Sequence, residues 1–440
     1  MTEHNLNQLK NIIRLFYPNT GIKATVQSCT VVFEVEGTEI KCDVADSIFA
    51  DLYQKLCDIT GKNMPWGNLT GIRPTRLVRK HGFKEVTGKY FVSDKKIKLL
   101  ENVIAAQQGY MTREEKLINY YVNIPVCPSR CNYCSFPSGI IDKCKDLLDE
   151  YVDCLCEEIK RDGKQIKAGG YEVYSIYVGG GTPTVLSAEQ LEKVLKAVQE
   201  TTNGLPLEFT CEAGRQDTIT KEKLALLKKY GVTRVCVNPQ SFNDVTLRTI
   251  GRNHTSYDFF KVYRLVEKYG FIINTDLIAG LADESAEDFK YSLDKTIELY
   301  PHNITVHTLS KKRGSLLVSA AAPVAHSTDT HIVIMVDLAY KKLTAAGYIP
   351  YYLYRQKSQK GALENVGYCK PGFQCINNIS VMEETISVLA SGAGAISKKI
   401  NMNGDGSPII RYANCKDISM YIAEFEERYK NKSTVFFDNV

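Results

Sequence analysis

Residues 127–134 read CPSRCNYC and set Cys127, Cys131 and Cys134 in a C-x₃-C-x₂-C pattern. Three thiols this close together are not explained by packing as small apolar side chains. A zinc site with four thiolates usually needs a second C-x₂-C pair or histidines, and none lies near. An iron–sulfur cluster normally takes four thiolates. With three, one iron keeps an open position that can bind a substrate or cofactor directly, which suits catalysis better than plain electron transfer. The rest of the 14 cysteines are scattered. Cys154 and Cys156 are two apart in a helical segment, so they face different sides.

Other candidate residues follow at intervals. In YVGGGTPT, Gly180, Gly181 and Thr182 close an apolar run. Glycines there allow a ligand to approach the backbone, and they also suit a tight strand-to-helix turn. The spacing is neither that of a P-loop nor that of a dinucleotide-binding turn. Glu212, in TCEAGRQDT, ends another strand as a helix cap or as an acceptor for a ribose hydroxyl. Gln240 lies in NPQSFND, Arg252 in IGRNHT and Asp276 in NTDLIAG. An aspartate in an apolar strand is costly unless it is paired or faces a polar cavity, and we read a cavity. His307 is either a proton donor or a packed histidine. WGNLTGIRPTRLVRK gathers Arg73, Arg76, Arg79 and Lys80. These form a solvated or inter-domain face, or recognise substrate carboxylates through guanidinium groups.

Something must bring these residues together. From about residue 119, apolar strand-like runs alternate with amphipathic helices through about six units, which predicts a parallel sheet covered by helices. The candidate residues fall at or near the C-terminal ends of successive strands, where barrel enzymes keep their chemistry. Too few units exist for a closed eight-stranded barrel. The fold class expected is α/β, a partial open (β/α)₆ barrel over residues 113–327. Residues 1–112 read as a small α+β module with a hairpin turning at EGTE, and 328–440 as an α-rich C-terminal domain.

A chain of 440 residues with net charge +5 suits anionic small ligands, and its charge is too diffuse to argue for nucleic acid. No run is long and apolar enough to span a bilayer. MTEHNLNQLK has no leader-like pattern, so a cytoplasmic location with reduced thiols is expected.

The cysteine loop, with Tyr133 just before its last cysteine, resembles that of radical S-adenosylmethionine (SAM) enzymes. YVNIPVCPSRCNYCSFP, YVGGGTPT, EAGRQDT, NPQSFND, IGRNHT, TDLIAGL and ENVGYCKPG together resemble the oxygen-independent coproporphyrinogen III oxidase (dehydrogenase) family. GNLTGIRPTRL and TVHTLSKKR point to its Z-type branch. The resemblance implies a [4Fe–4S] cluster on Cys127, Cys131 and Cys134, with the methionine part of SAM on the open iron. Reductive cleavage of SAM would give an adenosyl radical that takes a β-hydrogen from a propionate. Two propionates would become vinyl groups, converting a porphyrinogen substrate to protoporphyrinogen IX. A reductant such as flavodoxin or ferredoxin would supply the electron.

The resemblance also assigns ligand roles. Tyr121, Gly180 and Glu212 match contacts to the cluster-bound SAM. Tyr133, Gly181, Thr182, Gln240, Arg252 and Asp276 match contacts to a second SAM in the N-type enzymes. Those enzymes carry a further cysteine where this chain has Phe136, and a different N-terminal segment. Relatives with other fates set two alternatives, an anaerobic haem-degrading methyltransferase and a haem chaperone.

Overall fold

The computed structural model describes residues 1–18, 20–71, 73–136, 138–202, 206–310, 315, 329–356, 363–401 and 409–438. Parts of GNLTGIRPTRL, CPSRCNYCSFP and TVHTLSKKR, and the expected boundary at residue 327, lie outside these.

Near the N-terminus, β1 (Lys23–Gln27), β2 (Thr30–Val35) and β3 (Thr38–Asp43) form an antiparallel sheet in that order. The predicted turn joins β2 to β3 through Glu36 and Gly37, both at positive φ (50° and 77°), as a two-residue hairpin of matching twist requires. A second turn at Ser28 and Cys29 adds β1, so the alternating stretch makes three strands where a hairpin was expected. The helices Glu3–Phe16 and Ile48–Thr60 bury Leu9, Ile13, Leu52 and Leu56 against Phe33 and Val35 of this sheet. The next helices, Pro74–His81, Phe83–Tyr90 and Asp94–Ala106, join a different core. There Trp66, Val78, Leu99 and Val103 pack with Leu277, Ile304, Met335 and Leu353. The first 112 residues therefore divide between two cores.

The central sheet begins with β4 (Leu117–Ile124). The short pair β5 (Val126–Cys127) and β6 (Gly139–Ile140) then brackets the cysteine loop. The series continues with β7 (Glu172–Gly180), β8 (Glu208–Glu212), β9 (Arg234–Cys236), β10 (Ile272–Ala279) and β11 (Asn303–Thr308). Strands β4, β7, β8, β9, β10 and β11 are neighbours in chain order and all parallel, giving the six predicted units. Helices cross between them, among them Leu148–Ala168 and Ala188–Thr201. The latter starts at a capping box, Ser187 with Gln190, which satisfies two backbone donors at once.

The C-terminal part holds the helices expected of it and adds strands to them. Besides helices it supplies β12 (Ile349–Arg355), β13 (Glu364–Cys369), β14 (Ser387–Ser391), β15 (Ile396–Lys399) and β16 (Ile410–Ala413). YYLYR and SVLAS are aromatic or apolar runs with the composition of buried strands. The described sheet has 11 strands in the order β12-β13-β11-β10-β9-β8-β7-β4-β14-β15-β16, so it is open. The C-terminal part flanks both edges of the partial barrel. No helix among the described residues is long and apolar enough to cross a membrane.

One buried ionic group ties the last helix, Phe425–Ser433, to the barrel. Lys432 Nζ lies 2.6 Å from Glu158 Oε1 and 2.7 Å from Asp162 Oδ2. Burial pushes the Asp162 carboxyl up to about 6 against the pull of Lys432. Removing one member of such a group leaves uncompensated buried charge. Lys432→Met is therefore expected to destabilise the fold by about 3–5 kcal/mol in denaturant unfolding, and a loss under 1 kcal/mol, roughly that of an exposed pair, would refute the latch.

Candidate active site

The site is built where β4 and β7 end. Gly180 has φ +109°, and a Cβ there would stand 2.0 Å from Asn123 Oδ1. A Cβ on Gly181 would stand 2.4 Å from the carbonyl oxygen of Val126. Only glycine permits this approach. It allows Gly181 N to donate to Ile124 O and Thr182 N to Val126 O, each at 2.8 Å. The Thr182 hydroxyl then lies 3.5 Å from Cys127 Sγ. The cysteine loop leans on the segment carrying Arg252: Asn132 N donates to Ile250 O at 3.0 Å and its side chain to Thr249 O at 2.7 Å.

A cavity of about 330 Å³ opens at the strand ends. Cys127, Cys131 and Cys134 line it, with Tyr133, Gly180, Gly181 and Thr182 beside them. Glu212, Gln240, Arg252 and Asp276 continue the lining. Of the residues singled out in the sequence for the cluster and SAM, Tyr121 alone stands back. Its ring packs on Tyr177 at 6.0 Å between centroids, and its hydroxyl donates to Asn123 Oδ1 at 3.0 Å. Tyr177 lines the cavity instead.

Tyr177 donates to Glu212 Oε1 at 2.6 Å, and Gly180 N lies 3.3 Å from Oε2. Burial nevertheless raises the Glu212 carboxyl from its ordinary 4.5 to about 7, aided by nearby Asp276 and opposed by those two donors. Burial likewise pushes the Cys127 and Cys134 thiols up. Two guanidinium groups oppose it, favouring thiolate. Arg215, which sequence reasoning passed over inside EAGRQDT, approaches Cys131 Sγ at 3.7 Å and Ser129 Oγ at 2.9 Å. Arg252 donates to Gly214 O and Asn238 O, each at 3.0 Å, and to the Tyr133 hydroxyl at 3.2 Å.

Does this lining fit a cluster and SAM? The thiols share the cavity but are not drawn into a ready set; among the described residues no three His, Cys, Asp or Glu could hold a metal ion as they stand. The donor chemistry fits all the same: three thiols, two cations and a glycine cradle on one side, buried acceptors on the other. Gln240 is held at φ +66°. Its Oε1 and Asn238 Oδ1 are buried without a partner. Such acceptors call for a ligand rich in hydrogen-bond donors.

The basic stretch lies elsewhere. Arg73 and Arg76 both pair with Glu384, Arg73 at 2.7 Å, and Arg79 Nε lies 3.6 Å from Glu383. These arginines tie the N-terminal helices to the end of the C-terminal helix Ile376–Glu383 and do not line the cavity. His307 does line it, 3.6 Å from Asp276.

Comparison with known proteins agrees with this geometry. The model of the radical SAM superfamily matches residues 121–296. The oxygen-independent coproporphyrinogen-III oxidase-like protein HemZ of Bacillus subtilis is 34% identical over 98% of this chain and 95% of its own length. The chain belongs to this radical SAM family. Its members use a [4Fe–4S] cluster and SAM. The heme chaperone HemW of Escherichia coli is 31% identical over 60% of this chain and 65% of its own. Coproporphyrinogen III oxidase (HemN) of E. coli superposes with a TM-score of 0.57 at 22% identity, over 73% of this chain and 72% of that one. The likeness supports the open-barrel fold.

The raised Glu212 carboxyl has a measurable consequence. The folded chain keeps a proton that the unfolded chain releases, so this group favours folding below its ordinary 4.5 and loses that effect as pH rises through about 7. Glu212→Gln removes the dependence. The wild-type melting temperature is expected to fall relative to the variant's between pH 5 and 8, and parallel profiles would count against a buried, raised carboxyl.

Proposed function

We propose that this chain is an oxygen-independent coproporphyrinogen III dehydrogenase, converting two propionates of coproporphyrinogen III to vinyl groups and giving protoporphyrinogen IX. The observation that carries the reading is convergence: cysteine loop, glycine cradle, Glu212, Gln240, Arg252 and Asp276 face one cavity. The chain that holds them resembles the HemZ protein over 98% of its length.

When bound, the cluster and SAM supply the adenosyl radical that takes a hydrogen atom from substrate. In this reading Cys127, Cys131 and Cys134 hold the iron, with Arg215 and Arg252 offsetting the thiolate charge. Gly180 and Gly181 leave room for the methionine part of SAM, and Glu212 accepts from a ribose hydroxyl. Tyr121 acts through Tyr177. Tyr133, Gly181, Thr182, Gln240, Arg252 and Asp276 would contact a second SAM. Each propionate gives up one β-hydrogen atom, carbon dioxide and one electron to leave a vinyl group. Two side chains thus consume two SAM molecules, and an electron acceptor is required. A reductant such as flavodoxin or ferredoxin starts each cycle.

The similarity to HemW favours a second reading, a haem chaperone. Anaerobic turnover of the reconstituted protein with coproporphyrinogen III, SAM and reductant separates them. Mass spectrometry is expected to show loss of two carboxyl groups from each porphyrinogen. Cys127→Ala should reduce product at least about a thousandfold, as loss of an essential catalytic group does. SAM cleavage without porphyrinogen decarboxylation would sink the substrate assignment, and tight haem binding without SAM cleavage would favour the chaperone.

A further inference from the structure

The cavity wall at the other end of the sheet order from β4 has no role in the reading above beyond Asp276. β13 lies between β11 and β12. Tyr352 and Thr305 are each registered against Gly367 of β13, from opposite sides. The Tyr352 ring crosses β13 at that glycine, where a Cβ would stand 1.8 Å from Tyr352 Cε1. Its hydroxyl reaches Thr305 Oγ1 at 3.4 Å. Two residues on, Tyr354 makes the same crossing to His307, with its hydroxyl 3.3 Å from Nδ1. The two tyrosine rings are nearly parallel, 13° apart with centroids at 6.4 Å.

The tyrosines therefore lie across the sheet rather than standing from it, and they are pinned at their hydroxyl ends. Tyr352 is buried, backing its neighbour, whereas Tyr354 and His307 are part-exposed along the cavity. A fixed aromatic face is costly to leave uncovered and suits the face of a flat ring.

We infer that Tyr354 and His307, backed by Tyr352 over Gly367, form the platform that receives a pyrrole face of the porphyrinogen. This rests on the proposed function. It assigns substrate recognition to β12 and the barrel strand β11, and leaves the cluster and SAM to the rest of the barrel. Tyr354 is then a substrate contact, and Gly367 is a positioning residue that lets the rings lie flat.

The test uses the reconstituted holoprotein and two probes: coproporphyrin III, the air-stable oxidised tetrapyrrole, followed by fluorescence quenching, and S-adenosylhomocysteine, followed by calorimetry. Tyr354→Leu keeps apolar bulk without a π-face, and Tyr354→Phe keeps the ring. Tyr354→Leu is expected to weaken coproporphyrin binding about tenfold and Tyr354→Phe by no more than about threefold, in line with the strength of ring stacking. Binding of S-adenosylhomocysteine should stay within about twofold of wild type in both, since Asp276 is the one SAM contact proposed on this wall and Tyr354 is not one. Unchanged coproporphyrin binding in Tyr354→Leu overturns the platform, as does an equal loss for both probes. If the wild type neither binds coproporphyrin nor decarboxylates coproporphyrinogen, the proposed function fails and the platform with it.

Discussion

The site depends on a contact that no side chain could survive. Where β7 ends, Gly180 and Gly181 lie against Asn123 and Val126 so closely that a single Cβ would overlap them. That approach joins two β/α units at their catalytic ends. It brings Thr182 beside Cys127, and it turns the Gly180 amide toward Glu212 on the next strand. The rest of the lining follows from sheet order, since each further parallel strand ends at the same rim. The glycines in GGGTP are thus packing residues and binding residues at once, and the two readings that compete in the sequence describe one contact.

Charge in the cavity is balanced by pairs of unlike origin. Buried Arg215 and Arg252 face the three thiols, while Glu212 and Asp276 stand on the neighbouring strand ends. Neither guanidinium is fixed by a carboxylate alone. Arg252 is held by two backbone carbonyls and a tyrosine hydroxyl, and Arg215 by Ser129 as well as Asp217. Cations anchored on neutral acceptors keep most of their field for a bound anion. Arg252 can therefore favour thiolate without a carboxylate competing for its charge, whereas Arg215 shares its charge with Asp217.

What could be read from sequence was local. Six strand–helix repeats, the EGTE turn and the cysteine spacing all lie within a few residues of themselves, where periodicity and turn chemistry act. What escaped was set by partners far along the chain. For Arg73 and Arg76 the sequence left an inter-domain face and a carboxylate site both open, and the partner that decides for the first, Glu384, sits 308 residues beyond Arg76. Tyr121 was expected at SAM and is not among the residues lining the cavity; its ring stacks beside Tyr177, its register partner on β7, in a pairing that neither strand reveals alone. YYLYR lay inside the stretch read as α-rich, and its strand partners lie on β13 and its hydrogen-bond partners on β11.

The five C-terminal strands answer a constraint that the six-unit barrel creates. An open sheet has two edges of unpaired backbone groups, which native proteins cover. Here β13 and β12 pair on β11, and β14, β15 and β16 extend from β4, so the barrel's own edge strands become interior ones. The two coverings differ in what they add. On the β4 side the addition is closed by Lys432 between Glu158 and Asp162, a buried ionic lock far in sequence from the cysteine loop. On the β11 side it adds Tyr352, Tyr354 and Asn365 to the cavity. Edge protection and wall building are therefore the same structural act, and the strands that complete the sheet also decide the shape of what can lie beneath the cysteines.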